Sequence, residues 1–387
     1  MTERSGVTLP AGFVASGVTA GLKSSGKPDV ALVVNEGPRM AAAAVFTSNR
    51  VFAAPVKWSR QAVADGQLQA VVLNSGGANA CTGPEGFADS AATASRVADN
   101  LGLITDNVAV CSTGLIGIRL PMDRLLGGVD AASNALSPDG GALAAEAIMT
   151  TDSVPKQAGS SGDGWAIGGM AKGAGMLAPG LATMLVVLTT DADLAAEELD
   201  TALREATRVS FDRADADGCM STNDTVILMA SGASGQSPTP DEFTQSLTLV
   251  CQDLARQLIA DAEGAHHEIA IDVVGAASER DAEVVGREIA RSNLFKCAIF
   301  GGDPNWGRVL SAIGVTDAKF DPDALDVSFN SVMVCRGGQI GEDRSLVDLS
   351  GRSVTVTVDL HAGDSTATIL TNDLTYDYVR ENAEYST

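Results

Sequence analysis

Short apolar runs, closed by clusters of glycine, serine and asparagine, alternate along this chain with segments of helical spacing. DVALVVNEG (29–37) and AAAAVFTSN (41–49) predict strands ended by turn residues. LQAVVLNSGGANACTG (68–83) and VAVCSTGLIG (108–117) predict strands that run into glycine-rich or Ser/Thr/Gly loops. Between them Phe87, Ala91, Val97 and Leu101 recur near one face, so 84–102 predicts a helix that Gly102 stops. GGALAAEAIMTTD (140–152) predicts a helix ending in a polar cluster. DGWAIGGMAKGAG (163–175) predicts a strand or hairpin followed by a flexible loop, with SSGDG (160–164) as a looser segment ahead of it. ATMLVVLTT (182–190) predicts a buried strand.

The later chain continues the pattern. A helix is expected over 193–211, with Asp193 as N-cap and Glu197 and Glu198 in its early turns. The next, over 239–264, has a fuller start signal: Thr239 as cap, Pro240 at the first helical position and Glu242 closing a capping box. A strand (268–277), a helix (279–291) and a strand, turn and helix (296–314) follow. The segments 326–335, 353–360 and 365–371 alternate as antiparallel strands do, and 373–387 predicts a final helix and short tail. This mixture implies an α/β fold in the α+β sense, with sheets covered by helices.

Composition narrows the function. Hydrophobic residues make up 45% of the 387 positions and aromatics 4%, so small aliphatic side chains must fill the core. A net charge of −23 argues against nucleic acid and anionic membranes as partners. The N-terminal MTERSGVTLPAGF lacks the pattern of a signal peptide, and no run of about 18 apolar residues suggests a membrane span. The six cysteines form no CxxC and no Cys–His metal spacing, so reduced and mostly buried thiols in a cytoplasmic protein are expected. Of the three histidines, His266 and His267 stand adjacent in a polar stretch and read as surface residues; the third is His361.

KGAGMLAPGLATMLVVLTTDA (172–192) poses the chemical question. Thr183 suits a strand, yet it follows Gly173, Gly175, Gly180 and Ala182, small residues that let backbone amides approach a reacting centre. A hydroxyl there could attack the Ala182 carbonyl and cut the chain. The new α-amine, with a pKa of about 7.7–8.0, would then serve as the base that a threonine nucleophile needs.

The same stretch resembles the cleavage region of the ornithine acetyltransferase family, the glutamate N-acetyltransferases of arginine biosynthesis. VFTSNRVFAAPV (45–56), NSGGANACTG (74–83), CSTGLIG (111–117), IMTTDS (148–153), STNDT (221–225), DAEGA (261–265), DPNWGR (303–308) and NAEYST (382–387) resemble the family's blocks in the family's order. The resemblance implies a layered, two-lobed sandwich like that of the family and of DmpA-like proteins. It implies an α chain, 1–182, and a β chain, 183–387, released by self-cleavage after Ala182 and assembled as two α and two β chains. Thr183 matches the nucleophile, and Thr113 and Gly114 the oxyanion pair. Thr150, Lys172, Thr183, Glu263, Asn382 and Thr387 match the substrate-binding positions. Read alone, Lys172 suits a solvated loop, Thr150 a helix end and Glu263 an exposed helix C-terminus. Asn382 and Thr387 lie where a disordered tail is the default.

The implied reaction is a ping-pong exchange. Thr183 takes the acetyl group from N-acetyl-L-ornithine and passes it to L-glutamate, with acetyl-CoA as a further donor in some family members. Departures from the family pattern are Gly180 and Leu181 where Asn and Met are common, Gly77 in SGGANA, and His266–His267 where Thr–Lys is common. Two rival readings are a related self-cleaving amidohydrolase or aminopeptidase that uses water as acceptor, and a binding protein with GGMAKGAG as a phosphate loop. The second lacks the GxxxxGK[ST] and GxGxxG spacings.

Overall fold

The computed structural model describes residues 5–178 and 184–384. It divides into two compact units, the first drawn from the described residues within 1–176, 180–212 and 219–258, the second from those within 177–179, 213–218 and 259–387.

The first unit is built on two sheets. One has the order β1 (Phe13–Val18), β2 (Val30–Asn35), β4 (Ala70–Asn74), β5 (Val108–Ser112). The other has the order β3 (Ala41–Phe46), β9 (Thr225–Ala230), β8 (Leu185–Thr190), β7 (Ala166–Lys172), β6 (Lys156–Ser161). The pairs β4/β5 and β8/β9 are parallel, and the other neighbours in both sheets are antiparallel. Strand β2 shows why these runs are apolar throughout. Ala31 and Val33 face a core shared with Leu185, Val187, Ile227 and Met229 of the second sheet. Val30, Leu32 and Val34 face the opposite core, filled by helices α2 (Gly83–Leu101) and α3 (Met122–Asn134). A strand buried on both faces cannot alternate polar and apolar positions.

The remaining helices close the sandwich. α4 (Gly141–Ala147) contributes Ala144, Ala145 and Ala147 to the core between the sheets. α5 (Ala196–Arg208) lies against β3. α6 (Pro240–Ala260) brings Leu254 toward Gly169 of β7. The edge strand β5 is covered by α1 (Ala54–Ala62), whose Ser59 Oγ donates to Val110 O at 2.7 Å and accepts from Val110 N at 2.8 Å. Pairing an edge strand in this way removes a template for aggregation.

The second unit carries a sheet of order β13 (Gln339–Ile340), β12 (Val332–Arg336), β11 (Asp326–Phe329), β14 (Ser353–Asp359), β10 (Glu268–Ala276), β15 (Ser365–Asn372). Helices α7 (Glu279–Arg291), α8 (Asn293–Phe300) and α9 (Trp306–Ile313) add Val285, Ile289, Phe295, Ile299 and Val309 to its core, and α10 (Tyr376–Glu384) ends the described chain. Among the described residues no helix is long and apolar enough to cross a membrane.

Several expectations change. The run at 296–300 is helical, not a strand: Ser292 Oγ caps it by accepting from Phe295 N. The expected strand 326–335 is a hairpin, because Asn330 and Ser331 take φ of 47° and 72°, as a primed two-residue turn requires. Strands β14 and β10 pair in parallel, so that sheet is mixed. The SSGDG segment is the end of β6 and the turn of its hairpin with β7. Asp193 does not cap α5. It pairs with Arg39, and Glu198 accepts from the Ala195 N–H instead. The Thr239–Glu242 capping box is present in both directions. Cys111, Cys251 and Cys335 are buried, but Cys81, Cys219 and Cys297 are exposed; none of the six forms a disulfide.

The glycines of AIGGMAK are structural. A Cβ on Gly168 would lie 1.9 Å from the Gly6 carbonyl oxygen, because the N-terminal turn crosses β7 there. Gly168→Ala is expected to lower stability by about 1–3 kcal/mol through overpacking, read as a reduced urea midpoint at unchanged m-value.

Candidate active site

The two parallel pairs of the first unit bring strand ends to one edge. β4 and β5 end at Asn74 and Ser112, β7 ends at Lys172, and β8 and β9 begin at Leu185 and Thr225. For the parallel pair β4/β5 this is the carboxyl end, where open α/β sheets bind ligands.

The loop after β5 holds Thr113 and Gly114. Thr113 N donates to Asn74 O at 2.9 Å, and Gly77 N donates to Thr113 O at 3.0 Å. Gly114 has φ of +131°, and a Cβ there would lie 2.7 Å from Gly77 N. Both the conformation and the contact require glycine. The loop is braced by Asn223, whose Nδ2 donates to Ala78 O at 2.6 Å and to Ser112 O at 2.8 Å.

Lys172 is not a solvated loop residue. It is 1% exposed, and its ammonium donates to Thr150 Oγ1 at 2.6 Å and to Thr113 Oγ1 at 3.4 Å. Thr150, Thr113 and Lys172, named from the family pattern, therefore meet in space. The residue that joins them is Asp152. Its carboxylate accepts from Lys156 Nζ at 2.7 Å, Gly173 N at 2.7 Å and Thr150 N at 2.9 Å, and lies 3.7 Å from Lys172 Nζ. Burial pushes the Asp152 carboxyl up, but the Lys172 charge, the Lys156 charge and hydrogen bond and the Thr150 N–H outweigh it, so the group sits well below the usual carboxylate range. Lys23 adds positive charge nearby. Burial first, against the attraction of Asp29, and then repulsion from Lys172 push its ammonium down to about 8.

Asp152, Lys156, Lys23, Asn223 and Asp224 were not singled out from sequence. IMTTDS and STNDT contain three of them, but nothing local reveals the contacts of Asp152 with Lys172 and Gly173 or of Asn223 with Ala78 and Ser112.

Glu263 and Asn382 meet in the second unit, where Asn382 Nδ2 donates to Glu263 Oε2 at 3.0 Å. The tail returns because α10 is tied to the turn after α6. Thr375 Oγ1 donates to Gly264 O at 2.6 Å, and a Cβ on Gly264 would lie 2.1 Å from Tyr378 N. Asp373 accepts from His266 N and His267 N, both at 2.9 Å, and meets His267 Nδ1 at 2.7 Å; His266 Nε2 lies 2.8 Å from Asp377. His266 is exposed, whereas His267 is half-buried, so the pair anchors the final helix rather than merely occupying surface. Glu263 stands in the turn beyond α6, which ends at Ala260. Ala182, Thr183 and Thr387, with Gly180 and Leu181, lie outside the described residues.

A lysine–threonine cluster thus stands beside a glycine-shaped loop, and sequence comparison gives the class, that of acyl-transferring enzymes. The family model described as "ArgJ family" matches residues 14–387. The arginine biosynthesis bifunctional protein ArgJ of Streptomyces coelicolor is 64% identical over 380 residues, covering 98% of this chain and 99% of that protein. The protein of the same name from Mycobacterium leprae is 57% identical over 389 residues, covering 98% and 96%. A crystal structure of ornithine acetyltransferase from Mycobacterium tuberculosis, in complex with ornithine, is 57% identical, with a TM-score of 0.45, and covers 47% of this chain and 97% of that one. The protein is an enzyme, a glutamate N-acetyltransferase of arginine biosynthesis. The chain belongs to the ArgJ family.

Replacing Asp152 leaves two buried lysines without their shared anion. Asp152→Asn is expected to cost about 3–5 kcal/mol at pH 7. The folded pKa is depressed, so the carboxylate's stabilisation is present above the unfolded value of about 3.9 and is lost as pH falls toward the folded value. The wild-type advantage over Asp152→Asn, read from denaturant midpoints across pH, should therefore shrink below pH ~4.

Proposed function

We propose that Thr183 is the nucleophile, freed by cleavage of the chain after Ala182, and that it carries the acetyl group between two amino acids. The observation that supports this most is the Lys172–Thr113–Thr150 cluster beside Gly114, at the strand end where β7 pairs Lys172 with Leu185. Residue 183 is two positions before Leu185 in the chain.

In this reading the Thr183 hydroxyl attacks the acetyl carbonyl of N-acetyl-L-ornithine while its own α-amine takes the proton. Negative charge on the carbonyl oxygen is held by the Thr113 hydroxyl and the Gly114 N–H. Lys172, bonded to Thr113 Oγ1, leaves the threonine proton directed outward, since an ammonium has only protons to offer. On collapse the α-amine passes that proton to the leaving nitrogen, which expels L-ornithine and leaves acetyl-Thr183. L-glutamate then takes the acetyl group and departs as N-acetyl-L-glutamate. Lys23 and Lys172 give this edge a positive character that suits amino-acid carboxylates, within a chain of net charge −23. Thr150, Lys172, Glu263, Asn382 and Thr387 serve the substrate, Glu263 offering a carboxylate to an ammonium. The bifunctional name of the relatives supports acetyl-CoA as a second donor. The reaction uses no metal or redox cofactor. The mature enzyme is a cytoplasmic assembly of two α and two β chains.

Thr183→Ala should give one chain of 39.5 kDa without acetyl transfer from either donor. Two fragments, or activity retained, would rule out the nucleophile. Detecting acetate in place of acetylglutamate would assign the acceptor to water. Gly114→Ala, which disturbs both φ and the Gly77 contact, should lower kcat by about 10²–10³ with a smaller change in KM, measured by steady-state kinetics on N-acetyl-L-ornithine and glutamate.

A further inference from the structure

Asn74, the last residue of β4, is buried and takes no part in the mechanism above. Its side-chain amide ties together the two loops that follow β4 and β5. Nδ2 donates to Gly77 O at 3.1 Å, and Oδ1 accepts from Ser112 Oγ at 2.6 Å. Its backbone oxygen accepts from Thr113 N at 2.9 Å, and Gly77 N donates to Thr113 O at 3.0 Å, so residues 77 and 113 form an isolated antiparallel bridge. Thr113 is thereby held at both its N–H and its C=O.

The second of these bonds sets a direction. The Thr113–Gly114 peptide is trans and planar, so the Thr113 oxygen and the Gly114 N–H lie on opposite sides of it. With the oxygen turned to Gly77, the Gly114 N–H is turned away from Gly77. Among the described residues it donates to no acceptor, although Gly114 is half-buried. Backbone N–H groups away from water are almost always paired, so an unused one in a braced loop calls for a ligand oxygen. The arrangement needs the backbone of residue 77 and not its side chain: a Cβ there would meet only the tip of Leu120, at 2.9 Å.

We infer that Asn74 is a positioning residue for the oxyanion hole: it seats Gly77, and Gly77 turns the Thr113–Gly114 peptide so that its N–H is presented to the acetyl oxygen. This rests on the reading of Thr113 and Gly114 as the oxyanion pair and extends it to the group that aims one of the two donors. The Thr113 hydroxyl is directed by Lys172 and the Gly114 N–H by Asn74, so the donors are fixed by separate means. A peptide turned the other way would present the Thr113 oxygen instead, and attraction for the developing charge would become repulsion.

Gly114→Ala is measured first, since an unchanged kcat there removes the oxyanion reading itself. Where Gly114→Ala is slow, Asn74→Ala decides the inference. It deletes the donor to Gly77 O, and kcat should fall by about 10²-fold with KM for N-acetyl-L-ornithine within about threefold. Gly168→Ala, which loses stability without touching these loops, should keep kcat within about threefold. An Asn74→Ala enzyme with kcat within about threefold of wild type, or with a loss confined to KM, overturns the inference. So does an equal fall of kcat in Gly168→Ala, which would assign the effect to stability. A crystal structure of the wild-type enzyme with the phosphonamidate analogue of N-acetyl-L-ornithine tests the same point without any substitution. A phosphoryl oxygen within about 3.2 Å of Gly114 N, with the Asn74–Gly77 and Gly77–Thr113 bonds kept, supports it. An oxygen bound there while either contact exceeds about 4 Å overturns it.

Discussion

One carboxylate, Asp152, holds the polar end of the first unit together. It is buried between two buried ammonium groups, and it also fixes the Gly173 amide and the turn at Thr150. Removing such charges from water is expensive, and their attraction compensates only when every lone pair and proton is placed. Here Lys156 satisfies Asp152 Oδ1, and Lys172 is left aimed at two threonine hydroxyls. The second lysine thus lies 3.7 Å from the anion while its ammonium donates to the hydroxyls. A lysine in this state can orient hydroxyls beside a reacting carbonyl without competing for the proton in transit.

The glycine loop answers a different constraint. Asn223 joins the second sheet to the loops of the first through two carbonyls, and Gly114 fits against Gly77 with no room for a side chain. Rigidity on one side and a backbone stripped of side chains on the other give a preorganised donor site, which is where electrostatic stabilisation is effective.

Much of the fold was legible in the sequence because burial on two faces writes long apolar runs, as in β2, and because caps such as Thr239–Glu242 and stops such as Gly102 act locally. The misreadings have local causes too. KCAIF is too short for periodicity to separate a strand from a helix, and it was the Ser292 cap, three residues before Phe295, that decided. α1 is short and partly polar, since its task is to cover an edge. At the site, Thr113, Gly114, Thr150 and Lys172 were named by resemblance alone; on their own they read as loop and helix-end residues. Asp152 stayed hidden because its meaning lies in Lys172 and Gly173 at the end of β7, and no local spacing rule encodes a contact with the neighbouring hairpin.

The strand order β3-β9-β8-β7-β6 interleaves segments from either side of residue 183. β7 and β8 are neighbours across six paired positions, Ile167↔Thr190 to Lys172↔Leu185, and β9 is enclosed between β8 and β3. A break between β7 and β8 severs a covalent link but no rung of the ladder. Before the break, refolding is a first-order search by one chain. After it, the same sheet can form only when two molecules meet, so recovery from denaturation becomes dependent on concentration. Under the cleavage proposed above, the topology sets the order of events: assembly precedes scission, and the intact chain acts as its own template for a structure that its fragments would have to find by collision.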